Sequence, residues 1–340
     1  MTRTRFKAIT GRYGLLHIAV LGDFCLDRYL EIDPARREVS IETGLPVHNV
    51  TRVRGQPGAA GTILNNLVAL GVGRLYPVGF CGQDGEGYEL REALAAMAGV
   101  SLEHFLQTPE RRTFTYTKPL LIQPGRQPRE LNRLDLKNWT PTPAQVRQRI
   151  GTALRAVAGE VDAIIVLDQV DVPGTGVVTN DVLAALRDVG QMHPDVLIVA
   201  DSRRSLRGFP PVVFKMNAAE LARLTAAKRR LSLAQARRAA AALAEKNHQP
   251  VFVTLAERGI LAASPTGQVS LVPALPVRGP IDIVGAGDAV TANLTAALAA
   301  GAGIEDALAL ANAAASVVIH KLGTTGTANV RELRELLLQG

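Results

Sequence analysis

Short apolar runs alternate with stretches of helical periodicity along most of the chain. Leu16–Gly22 is an apolar run ending in glycine, the pattern of a strand buried on both faces. Val161–Leu167 shows the same pattern more strongly, and Arg74–Phe80, Val196–Ala200, Val212–Met216 and Val251–Leu255 follow it. Between these runs the spacing predicts helices over Thr62–Leu70, Glu89–Ala98 and Asn180–Val189, from Ala218, and over the alanine-rich Ser232–Lys246. Gly71 is placed to end the first of them as a left-handed cap. Ala286–Ala299, Ile304–Ile319 and Val330–Leu338 predict three closing helices. Strands alternating with helices of about 10–15 residues predict an α/β fold with a doubly wound parallel sheet. Ligands in such a sheet bind beyond the carboxyl ends of the strands.

Two segments, 28–56 and 111–137, break this rhythm. They contain no convincing helix, and Val47–Val53 and Thr113–Ile122 carry β-branched and aromatic residues. The Pro124–Pro128 turn divides the second segment into a hairpin-like pair. The expectation is one domain over 1–340, with both segments forming a small β-sheet lid over the carboxyl ends of the main strands. Residues before Leu16 are expected to be a short basic tail, and Trp139 is expected to pack.

Composition narrows the class. Apolar residues make up 47% and charged residues 20% of 340, which describes a packed globular chain and excludes a disordered one. Two cysteines, Cys25 and Cys81, form neither a disulfide framework nor a CxxC pair, so a reducing, cytoplasmic setting is expected. No apolar run approaches the roughly 18 residues that a membrane span needs. The net charge of +7 raises nucleic acid as a partner. The basic residues are dispersed, however, as Arg36-Arg37, Arg52 with Arg54, Arg111-Arg112, Lys228-Arg229-Arg230 and Arg237-Arg238, with no aromatic residues among them for bases to stack on. Neither nucleic acid nor membrane is therefore expected as a partner. The six histidines show no metal-ligand spacing.

The segment Pro280–Val290 carries the chemistry. Gly285, Ala286 and Gly287 form the turn into an alanine-rich helix. The first N–H groups of a helix lack internal partners, and with the helix dipole they make an anion site that glycines open to close approach. Asp288 stands just inside. A carboxylate there is placed to take a proton from a hydroxyl while the N–H groups stabilise a transferring phosphoryl group. Glycines also ease any strand-to-helix turn, and aspartate favours helix N-termini, so the segment alone admits both readings.

Gly285-Ala286-Gly287-Asp288 and its helix resemble the C-terminal signature of the PfkB (ribokinase-like) carbohydrate kinases. The resemblance recurs in order along the chain. Gly22-Asp23 with Asp27 resembles the family's sugar-contacting start, and Pro57–Gly71 its N-terminal signature. Gly79, Gly82, Asp84 and Gly87 match the glycine-rich pattern that follows. Lys215-Met216-Asn217-Ala218-Ala219-Glu220 is similar to the family's KPNxxE, and Thr254–Gly259 to its TlGexG. The opening Gly22–Tyr29 and the Arg133-Leu134-Asp135 triplet are most similar to heptose-phosphate kinases. In those proteins a nucleotidyltransferase step accompanies the kinase, and 340 residues leave no room for it, so another protein is expected to supply it.

The resemblance implies transfer of the γ-phosphoryl of ATP to a hydroxyl of a sugar or sugar phosphate. Asp288 is implied as base and Gly285, Ala286 and Gly287 as anion hole. Asp23, Asp27, Gly58, Ala59 and Thr62 are implied to meet the sugar, with Lys118 and Arg133 as candidates for a sugar phosphate or as plain exposed lid cations. Lys215, Asn217, Thr254, Gly259 and Asn312 are implied to border the nucleotide. Glu220 is implied to hold Mg²⁺ through water. A monovalent cation is a further cofactor that the resemblance admits, and a homodimer through the lid a further partner. Asp168 and Asp201, each ending a strand, are either functional or structural.

The sequence departs from the pattern at five places. Ala59 and Ala256 stand where the family has glycine, Thr62 where it has asparagine, Ile283 where it has a threonine-like residue, and Asn293 where it has glycine. These changes point to a shifted sugar pocket. They also motivate an alternative, a catalytically weak homologue that binds sugar or nucleotide as a sensor, against which the retained Asp288 argues.

Overall fold

The computed structural model describes residues 1–227, 231–323 and 325–338. Lys228-Arg229-Arg230 lies outside the described residues.

A nine-stranded sheet forms the centre. Its elements in chain order are β1 (His17–Gly22), β4 (Arg74–Gly82), β5 (Phe105–Thr108), β9 (Ala163–Asp168), β10 (Leu197–Ser202), β11 (Val213–Asn217), β12 (Val251–Thr254), β13 (Ile260–Ala263) and β14 (Val269–Val272). In space the order is β14-β13-β12-β11-β10-β9-β1-β4-β5. From β5 to β12 every pairing is parallel, and β12-β13-β14 is an antiparallel edge. The doubly wound, mainly parallel sheet expected from the sequence is therefore present.

Period-two alternation splits the strand side chains between two apolar layers. Ile18, Val20 and Ile165 face one layer, with α1 (Arg3–Thr10), α2 (Ala60–Leu70), α3 (Gly85–Ala95), α8 (Ala286–Ala299), α9 (Ile304–Ile319) and α10 (Val330–Leu338). Ala19, Leu21, Ile164 and Val166 face the other, with α4 (Ala144–Ala158), α5 (Asn180–Met192), α6 (Ala218–Leu224) and α7 (Leu233–Asn247). Gly71 ends α2 at φ 77° as expected, and Ser232 caps α7.

Several elements differ from the sequence expectation. The basic tail is instead α1, capped by the Thr2 side chain and anchored by buried Phe6 and Ile9. Helix α4 falls in a stretch given no element, although Val146, Ile150, Leu154 and Val157 recur at helical spacing and are buried. The β13–β14 hairpin was likewise not expected.

The second sheet has five strands: β2 (Phe24–Val39), β3 (Pro46–Ala59), β6 (Phe114–Leu121), β7 (Arg129–Glu130) and β8 (Leu134–Leu136). It draws on both segments that broke the rhythm. Strand β2 is its spine, antiparallel to β3 and parallel to β6. It begins at Phe24, immediately after β1, so it continues the path of the central strand. Arg28 of β2 ties the sheet to α3 through Glu86 and Glu89.

Candidate active site

Helix α8 begins beneath the carboxyl ends of the central strands. Gly285 is its N-cap at φ 81°, a left-handed conformation suited to glycine. A Cβ there would lie 2.5 Å from Thr325 Cγ2, so sterics exclude a side chain as well. The Ala286 N–H turns back to Ile283 O at 3.3 Å, which leaves the Gly287 and Asp288 N–H groups without a helical carbonyl behind them.

Asp288 is half-buried at this end. Burial pushes its carboxyl up to about 7; the Lys215 ammonium opposes that rise and the Asp201 carboxylate adds to it. Lys215, in the middle of β11, is 5% exposed and bonds Asp201 Oδ2 at 2.6 Å. A Cβ on Gly287 would stand 3.4 Å from Lys215 Nζ, which places the ammonium directly under the first turn of α8.

Asn217 and Glu220 form a reciprocal capping box at the start of α6. Asn217 Oδ1 accepts from Ala219 N and Glu220 N, and Glu220 Oε2 accepts from Asn217 N at 2.7 Å. Burial raises the Glu220 carboxyl. Thr254 sits in register with Asn217 on the neighbouring strand. Gly259 follows at φ 95°, so close to Val272 O that a Cβ would lie 1.9 Å from it. Among the described residues no three His, Cys, Asp or Glu side chains converge as a metal cage.

Above this end stands one polar face of the second sheet. Asp27 is in register with Gln56 and Tyr116, and Tyr29 with Arg54 and Lys118. Lys118 Nζ lies 3.6 Å from Asp27 Oδ2 and 4.9 Å from the centre of the Tyr29 ring. Burial raises the Asp27 carboxyl, against the pull of Lys118. Gly58 is required here, because a Cβ would come within 2.8 Å of both Asp27 Oδ2 and Cys25 Sγ. Gln56 Nε2 reaches Thr325 Oγ1 at 3.4 Å, and the methyl of Thr62 lies 3.8 Å from the Cβ position of Gly285. These two contacts link the polar face of the second sheet and the start of α2 to the Gly285 turn.

Several of the candidate residues have partners within the chain. Asp23 is 3% exposed and accepts three backbone N–H groups: Gln169 at 2.8 Å, Val170 at 3.2 Å and Val177 at 2.7 Å. It staples the loop after β9, and burial beside Asp168 still holds its carboxyl up at about 6. Asn312 donates to Pro273 O at 2.8 Å, so it fastens the segment leading to Gly285. Lys118 is paired with Asp27 and is no plain surface cation. Arg133 is forked onto Asp135 at 2.7 and 2.8 Å and stacks on Tyr116. Trp139 is 71% exposed and does not pack as expected. Asp168 holds Ser202 and Arg204. Ala59 and Ala256 both adopt positive φ, 53° and 52°, the conformations that glycine would relieve. Sequence reasoning left Asp201 open and passed over Thr291 and Gln56; only their distant partners identify them.

Residues 17–330 match the pfkB family carbohydrate kinase model. The bifunctional protein HldE of Azorhizobium caulinodans is 32% identical over 313 residues, 91% of this chain and 62% of that protein. HldE of a Bradyrhizobium strain is 30% identical, over 94% of this chain and 63% of the relative. The chain thus spans less than two thirds of the length of these relatives. Arabidopsis thaliana ribokinase, solved with ribose and ATP, superposes with a TM-score of 0.65 at 20% identity, covering 95% of this chain and 99% of the other. Escherichia coli phosphofructokinase-2, solved with potassium, does so at 0.70 and 17% identity, covering 94% and 97%. With the family model matched over nearly its whole length and its fold shared with these kinases, the chain belongs to the pfkB family of carbohydrate kinases.

Proposed function

We propose that the protein transfers the γ-phosphoryl group of ATP to a hydroxyl of a sugar or sugar phosphate. The observation that carries this reading is Asp288, held half-buried beside free helix N–H groups and pushed up to about 7. A carboxylate with that proton affinity accepts a hydroxyl proton near neutral pH. The Gly287 and Asp288 N–H groups and the helix dipole stabilise charge on the moving phosphoryl group. Lys215 adds a fixed positive charge beneath the same turn.

The sugar lies between this turn and the polar face of the second sheet, which acts as a lid on a single domain. Asp27 and Thr62 orient it by hydrogen bonds, Gly58 and Ala59 shape the floor, and Lys118 and Arg133 meet a phosphate where the sugar carries one. Asn217, Thr254 and Gly259 border the nucleotide. Glu220 offers a single hard carboxylate oxygen beside the phosphate side, which fits Mg²⁺ held through water and nucleotide phosphates. When bound, Mg²⁺ neutralises phosphate charge. The opposite face of the second sheet exposes Val53, Leu134 and Leu136, the basis of a homodimer through the lid. The described residues contain no helix long and apolar enough to cross a membrane, in keeping with a cytoplasmic enzyme.

The test is ATP turnover with Mg²⁺ against a panel of pentoses, hexoses, hexose phosphates and heptose phosphates. Sugar-stimulated ADP release by at least one member is the expected result. Its absence across the panel favours the sensor reading.

A further inference from the structure

Asp201 is the penultimate residue of β10, and nothing in the proposed chemistry uses it. It is nonetheless the hub of a buried polar cluster. Its Oδ2 accepts from Lys215 Nζ at 2.6 Å and from Thr291 Oγ1 at 3.0 Å. Thr291 is fully buried, one turn beyond Gly287 on α8, and its hydroxyl also lies 3.1 Å from Gly287 O. One oxygen therefore binds a cation from β11 and a hydroxyl from α8. Both partners lead to the anion-hole turn, one through the space beneath Gly287 and one through its carbonyl.

We propose that Asp201 is a positioning residue, which holds the Lys215 ammonium beneath the first turn of α8 and thereby sets the charge that Asp288 faces. The proposal rests on the reading of Asp288 as the base and adds the group that tunes it. A buried lysine without a counter-charge is expensive to keep protonated. Asp201 stabilises that charge, and it also neutralises most of it, so Asp288 faces a compensated pair instead of a bare cation. A bare cation at this distance would make Asp288 a weaker base.

The charged groups around Asp288 come from each neighbouring element. Strand β10 and its loop supply Asp201 and Arg203, β11 supplies Lys215, and β2 supplies Asp27 and the Cys25 thiol. Glu220 of α6 acts on Lys215. Helix α2, packed against α8, has no charged residue. Of these groups, Asp201 alone is bonded to a neighbour of Asp288 and to α8 itself.

The deciding measurement needs neither sugar nor ATP. The protein is labelled with ¹³C at the aspartate carboxyls, and the Asp288 signal is assigned by its loss in Asp288→Asn. Its titration midpoint in the wild type is compared with that in Asp201→Asn. The expected result is a fall of about 1 pH unit or more: without Asp201 the Asp288 carboxylate is the counter-charge left to Lys215, and an opposite charge nearby typically lowers a carboxyl by that much. Thr291→Val, which keeps the ion pair, moves the midpoint far less. An unchanged or raised midpoint in Asp201→Asn overturns the proposal. If Asp201→Asn gives no folded spectrum, Lys215→Met decides: it leaves Asp201 charged without its cation, so the Asp288 midpoint rises, and a midpoint that stays or falls overturns the proposal. Wild-type protein without sugar-stimulated turnover would refute the kinase reading, while these titrations would still decide the role of Asp201.

Discussion

Replacing Ala59 by glycine should stabilise the protein, against the usual effect of a glycine substitution. Ala59 joins β3 to α2 at φ 53° and ψ −116°, outside the regions open to residues with a Cβ, and its side chain provides no cap. The turn cannot relax on either side. A Cβ at Gly58 would meet Asp27 Oδ2 at 2.8 Å, and one at Gly61 would meet Pro57 Cβ at 2.4 Å. Such strain at a non-glycine residue costs about 1–3 kcal/mol. Glycine returns about 0.4–1 kcal/mol of that through the freer unfolded chain, leaving a net gain of about 0.5–2 kcal/mol. At roughly 2 cal/mol/K of unfolding entropy per residue, 340 residues convert this gain into a Tm rise of about 1–3 °C. Calorimetry and urea midpoints measure it. A fall in both for Ala59→Gly would refute the strain argument.

Three further outcomes follow from the raised carboxyls. The base must be deprotonated to act, so kcat/KM should climb with pH to a midpoint near the value of about 7 at which Asp288 is held; a midpoint at 4–5 would contradict that environment. Asp23 and Asp288, held up at about 6 and about 7, keep their protons longer in the folded state than in the unfolded one, where aspartate sits at about 3.9. Stability should therefore fall as pH rises between about 4 and 7, because the folded state binds more protons there, and Asp288→Asn should flatten part of the slope in pH-dependent urea titrations. Asp23→Asn sets an amide donor against the backbone N–H groups of the 169–177 loop and should destabilise the protein by about 1–3 kcal/mol. An unchanged urea midpoint would show that the staple carries no stability.

The sequence made the central sheet legible because its parallel strands are apolar on both faces and their helices have clear periods. Gly71 and the Gly285–Asp288 turn declared themselves because helix ends depend on local residue types. Helix α4 was equally legible in Val146, Ile150, Leu154 and Val157, yet it lay between the lid and the strongest strand and was passed over. Helix α1 was obscured by its charges, since only Phe6 and Ile9 face inward. The candidate site was legible where one segment supplies its residues, as at Gly285–Asp288. It was not legible where partners are remote. Asp23 is 146 residues from Gln169, and Asp201 is 90 from Thr291, so no local pattern announces either bond. The glycine-to-alanine departures at 59 and 256 were visible, but only the positive φ of both shows that they strain the backbone.

The central claim is that Asp288 is the base in phosphoryl transfer. Its most direct test is the turnover of Asp288→Asn with a sugar that the wild type accepts, alongside the affinity for ATP. The account predicts a loss of about 10²–10⁴-fold in kcat with ATP affinity nearly unchanged. Turnover near the wild-type rate would contradict it.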